Sequence, residues 1–129
     1  MAALNMEKRL WQRLRSAAET EMRLLFQALP GPIREQVDNL PIVFEPAPNP
    51  ALVKDGIEPD LLGLFVGDAV DEEGADPVPP EILLFLGNIW EDAGHDPAEY
   101  REQVRTTLLH EIGHYLGLEE DDLVVRDLE

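Results

Sequence analysis

Apolar residues recur at spacings of three and four from the start of the chain: Trp11, Leu14, Ala18, Met22, Leu25 and Leu29. Such a stripe is the signature of an amphipathic helix, expected here over residues 4–29, with its apolar face turned to a core rather than to a partner. Pro30-Gly31-Pro32 closes it, because proline cannot continue the hydrogen-bond ladder, and a short helical turn is expected over 32–38. The pattern then changes to short apolar runs: Pro41–Glu45 (PIVFE), Leu61–Gly67 (LLGLFVG) and Glu81–Ile89 (EILLFLGNI). Each is bounded by Pro, Gly or Asp and reads as a strand. The first two are joined by a Pro-rich loop, Pro46–Pro59. The second and third are joined by the acidic, Pro-rich DAVDEEGADPVPP, expected to be a solvated excursion.

The last element announces its own start. Asp96-Pro97-Ala98-Glu99 places an N-cap, a proline at the first helical position and a glutamate three residues beyond the cap. The helix should run from Pro97 to Leu116, with Gly117 free to take the left-handed conformation that ends it. Helix, strands, then helix argue for an α+β fold. With 129 residues and no internal repeat, one domain spanning residues 1–129 is expected.

This helix carries the chain's most specific chemistry, HEIGHYLGLEEDD from His110 to Asp122. At ~100° per residue, His114 lies about 40° from His110 and one turn on, so two imidazoles converge on one point. Glu111 falls about 60° beyond His114 on the same side, beside a bound ion rather than on it, where its carboxylate could take a proton from water. Val104, Leu108, Ile112 and Tyr115 lie roughly 120–200° away and form the core-facing side. Around the histidines stand Gln103, Thr106, Thr107, Gly113 and Gly117, small or weakly polar like the floor of a cleft. Gly113 costs about 1 kcal/mol in a helix interior relative to Ala, which a close approach by another chain or a substrate would explain.

Composition then narrows the chemistry. There is no cysteine, so a metal must rest on His and carboxylate ligands. Of only three histidines in the chain, two stand at the zinc-binding i, i+4 spacing. A third ligand is expected from the acids after Gly117, with Glu120 the first choice and Asp121 its competitor. Those acids have a metal-free alternative, since they could open a short helix, EEDDLVVRDL, whose N-terminus they would stabilise. The formal net charge of −17 repels phosphate backbones and anionic lipid, so no nucleic-acid or membrane role is expected. The N-terminal stretch lacks a signal-peptide apolar core and no run reaches the ~18 residues of a membrane span, which makes a cytoplasmic protein the simplest expectation. His95 reads as a loop histidine.

HEIGHYLGLEE has the form HExxHxxGxxE and resembles the zincin metallopeptidases, most closely the small bacterial mini-zincins. The resemblance extends upstream through LPIVFE, LLGLFVG and PPEILLFLGNIW, covering roughly residues 20–125. Glu120 stands where that family usually has Asp. The resemblance implies a minimal zincin fold: a small mixed sheet, a backing N-terminal helix and a C-terminal active-site helix. It implies one zinc ion held by His110, His114 and Glu120, and a zinc-activated water deprotonated by Glu111 to hydrolyse a peptide bond. It also implies an edge strand that pairs with peptide substrate. Leu61–Gly67 is the candidate, with Glu81–Ile89 interior; a plain core strand is the alternative. The oxyanion donor that larger zincins place downstream has no counterpart here. A non-catalytic zinc domain that binds a peptide or partner is therefore the rival reading, and a metal-free structural domain is the third. The sequence leaves the oligomeric state open and is compatible with a monomer.

Overall fold

A computed structural model of the chain describes residues 7–67 and 78–117. The N-terminal helix α1 spans Lys8–Ala28 and is followed by α2, Gly31–Val37. The expected stripe is the buried one: Leu14, Ala18, Leu25 and Leu29 are in the core, with Trp11 and Met22 packed against it. Strand β1 (Ile42–Glu45) comes next. The Pro-rich connection after β1 is not loop throughout. It contains a short helix, α3 (Pro50–Lys54), whose N-cap Asn49 accepts a hydrogen bond from the Leu52 amide at 2.9 Å.

Strand β2 is Gly63–Val66 and β3 is Glu81–Phe85. The third strand is thus shorter than the apolar run predicted. Residues 86–89 belong instead to helix α4 (Leu86–Asp92), which leaves the strand without a loop. Leu86, Ile89 and Ala93 bury themselves at helical spacing. Asn88 uses the helical geometry to donate to the Pro59 carbonyl (2.8 Å) and the Leu61 carbonyl (2.9 Å), pinning the β1–β2 connection just before β2 starts.

Helix α5 runs over Pro97–Leu116 as expected. Asp96 caps it by accepting from the amides of Ala98 and Glu99, at 2.9 and 3.3 Å. Gly117 ends it at φ 72°, the left-handed region that glycine enters without a Cβ penalty. The Glu99 carboxylate does not close a capping box; it accepts from the Gln103 side chain at 3.4 Å.

Among the described residues the sheet is three-stranded and mixed, in the order β1-β3-β2, with β1 parallel and β2 antiparallel to β3. The fold is α+β. Helix α5 packs across β2 and β3, while α1 packs on α5 and α4. Ile82 and Leu84 of β3 meet Leu108 and Ile112 of α5 in one apolar cluster, each such buried side chain worth about 1.5–3 kcal/mol against exposure. Tyr100 is the largest fully buried side chain among the described residues and donates its hydroxyl to the Leu14 carbonyl at 2.7 Å, tying α5 to α1. No helix among the described residues is long and apolar enough to cross a membrane.

Candidate metal centre and cleft

The site is built on the last two turns of α5, a helix fixed at its start by the Asp96 cap and along its back by buried Val104, Leu108 and Ile112. That anchoring leaves His110 and His114 exposed on the front. Their rings lie 4.5 Å apart, edge to face. Glu111 is the one buried charged residue among those described, 6% exposed, and its Oε1 sits 3.3 Å from His114 Nδ1. One ligand atom from each of His110, Glu111 and His114 falls within 4.8 Å of the others. Two imidazoles and a carboxylate in that space are a donor set suited to zinc, which takes nitrogen and oxygen ligands at about 2.0–2.2 Å. Among the described residues, no other cluster of this kind forms.

Glu120 and Asp121, the alternatives for the third ligand, lie outside the described residues. His95 does not approach the cluster. It holds a left-handed backbone at φ 63°, stacks on the Trp90 indole at 5.1 Å and meets Glu91 Oε2 at 3.0 Å. Tyr115 packs against the core and against the Phe65 ring, 5.8 Å away.

The front face of α5 is narrower than its helical angles alone suggest. Gly113 is buried and is not part of an open cleft floor. Gln103 is half-buried, its Oε1 without a partner among the described residues. Thr106 and Thr107 do join His110, Glu111 and His114 along a cleft of about 480 Å³. Its opposite wall is β2 with the two residues before it, Leu61 and Leu62.

Strand β2 can stand this close to α5 because residue 63 is glycine. A Cβ there would lie 2.7 Å from Thr107 Cγ2 and 3.4 Å from Glu111 Cγ. The glycine inside LLGLFVG is the sequence signal for this approach, since an interior strand glycine often marks close packing. Its partner Thr107 could not be read from the run itself.

The register also shows what β2 presents to solvent. Phe85 donates its amide to the Leu62 carbonyl at 2.9 Å, and β2 pairs with β3 through Leu64↔Leu83 and Val66↔Glu81. Antiparallel pairs alternate between bonded and non-bonded. The main-chain N–H and C=O of Leu64 and Val66 therefore face β3, and those of Gly63 and Phe65 face the other way. Among the described residues no strand pairs with that edge.

Comparison with known proteins agrees with this arrangement. The model of a family described as zincin-like metallopeptidase matches residues 37–128, a stretch that contains the sheet, α4 and the whole of α5. No curated protein matches the chain. The chain belongs to the zincin-like metallopeptidase family.

Proposed function

From that membership we propose that the protein is a zinc-dependent peptidase in which His110, His114 and an acid after Gly117, Glu120 by preference, hold one zinc ion and Glu111 is the general base. The observation that carries the reading is the juxtaposition of the His110–Glu111–His114 group with the outward main-chain groups of Gly63 and Phe65 across one cleft. An extended peptide can add to such an edge by main-chain hydrogen bonds, which would lay its backbone across the front of α5. Zinc, when bound, supplies Lewis acidity toward a peptide carbonyl and toward water. Glu111 takes the proton from the attacking water and delivers it to the leaving amine. Its burial against Gly63 and its contact with His114 hold the carboxylate beside the imidazoles rather than out in solvent. A peptide or protein substrate and a cytoplasmic setting belong to the same reading.

The experiment is Glu111→Gln. The variant should retain zinc at the wild-type stoichiometry and lose cleavage of a broad peptide library by about 10²- to 10⁴-fold, the usual worth of a general base. One observation favours the non-catalytic reading: among the described residues Tyr115 is packed on Phe65 and His95 stands apart, so neither supplies an oxyanion donor. If zinc-loaded wild type binds peptides from the library and cuts none, that second reading replaces the first.

A further inference from the structure

The sheet has a second open edge, on the far side from the metal centre. In the parallel β1–β3 pair Ile82 donates its amide to the Pro41 carbonyl at 2.9 Å, in register Ile42↔Ile82 and Phe44↔Leu84. Strand β1 thus turns the main-chain groups of Val43 toward β3 and those of Ile42 and Phe44 outward. Among the described residues no strand pairs with this edge either. Because α1 leans on α5 and α4, it leaves a groove of about 720 Å³ between its own Met22 and Phe26 and the strand's Ile42 and Phe44.

The charge around this groove opposes that of the molecule. The chain carries 27 acidic residues against 10 basic ones, yet Arg15, Arg23 and Arg34 line the groove with Glu19 as the sole acid. Arg15 meets Glu19 at 3.2 Å and sits 5.9 Å above the Phe44 ring. Arg34 donates to the carbonyls of Gln27 and Leu29, at 3.1 and 3.2 Å, so its position is fixed, and it makes no ion pair among the described residues. Arg23 makes no ion pair among the described residues. Proteins often guard a strand edge by placing charges on the strand itself. Here Ile42, Val43 and Phe44 are apolar, Glu45 at the end of the strand is its one charged residue, and the arginines stand on the neighbouring helices, framing the edge instead of blocking it.

We propose that this groove is a docking surface for an extended acidic segment of a partner protein, added as a fourth strand beside β1. The outward N–H and C=O groups of Ile42 and Phe44 match another main chain. The apolar floor takes alternate side chains, and the arginines take the carboxylates between them. A nucleic acid would meet the same arginines, but at the cost of approaching a chain of net charge −17.

Selection of displayed random heptapeptides against the full chain tests this. The peptides recovered should alternate apolar residues with Asp or Glu. Their affinity should fall about ten-fold or more in the double variant Arg15→Glu/Arg23→Glu, two exposed helix positions whose unchanged circular dichroism would confirm the fold. Replacing a central peptide residue by proline should also weaken binding, because it removes a main-chain donor. Recovery of neutral or basic peptides, or equal affinity for the double variant, would overturn the proposal. So would peptide binding lost on His114→Ala, which would place the peptides in the metal-centre cleft. Light scattering covers the remaining occupant: a dimer that the double variant converts to monomer would assign the groove to a second copy of this chain.

Discussion

The two outer strands of this sheet offer solvent the same main-chain groups, two N–H and two C=O apiece, yet they stand in opposite chemical surroundings. Beside β2 is α5, bringing two imidazoles, a buried carboxylate and two threonines, with no Lys or Arg among the described residues that line the cleft. Beside β1 is α1, bringing arginines and aromatic carbon. The difference lies little in the strands, which are short and apolar in both cases except for Glu45 at the end of β1. It lies in which helix flanks each edge and how close that helix comes. Gly63 lets α5 close in on β2, whereas α1 is held off β1 by its packing on α4 and α5. On the two proposed readings, one edge would present a peptide to the His110–Glu111–His114 cluster and the other would hold one.

The contrast is broken most completely by removing the imidazoles. His110→Ala should lower zinc affinity by more than about a hundred-fold, because loss of even an outer-shell partner of a metal ligand costs 10- to 100-fold. Competition with a chromogenic chelator measures this. Stoichiometric zinc in the variant at wild-type affinity would remove His110 from the ligand set. Binding of peptides at the β1 groove should be indifferent to the change.

The next effect in size comes from closing the gap that glycine leaves. Gly63→Ala puts a methyl group 2.7 Å from Thr107 Cγ2, so strand or helix must shift. Overpacking of this kind costs about 1–3 kcal/mol, to be read from urea unfolding. Thr107→Ser deletes the methyl that would be struck, and the double variant should recover most of the loss. If Gly63→Ala is as stable as wild type, or if Thr107→Ser gives no recovery, the close approach is not what glycine serves at this position.

The two regions also differ in how far they could be read before the fold was known. The His110–Glu111–His114 cluster was legible because its imidazoles and Glu111 lie within five residues of one helix. There the 100° step alone fixes their mutual placement, and Asp96, Pro97 and Gly117 mark the helix at both ends. The arginine groove was not, since Arg15, Arg23, Arg34 and Phe44 come from two helices and a strand brought together only by tertiary packing. The same limit explains the boundary after β3. A strand buried on both faces shows no alternation, so EILLF runs into the buried face of α4 without a change of pattern. Helix α3 was masked by the prolines around it, one of which, Pro50, starts it. Gly113 fell on the predicted front because angle gives a direction and says nothing of what covers that direction in the folded chain. Glu120 and Asp121 lie outside the described residues, and the choice between them rests on spacing and the resemblance.

The smallest effect sharpens the comparison at the point where the two regions are joined. Tyr100 of α5 reaches the Leu14 carbonyl of α1 and packs edge-on against Trp90, 5.7 Å away. Tyr100→Phe keeps the ring and removes one hydrogen bond, so the loss should be about 1 kcal/mol and should fall on both helices together. Burial raises the Tyr100 phenol well above its ordinary 10.0, which gives the effect a pH signature. The folded state holds this proton more tightly than the unfolded chain does. The contribution is therefore complete below pH 10 and is lost as pH rises beyond it. Thermal melts of wild type and Tyr100→Phe from pH 8 to 11 should show wild type losing its advantage above pH 10. A difference in melting temperature that stays constant over that range would mean that the phenol ionises as freely in the folded protein as in the unfolded chain.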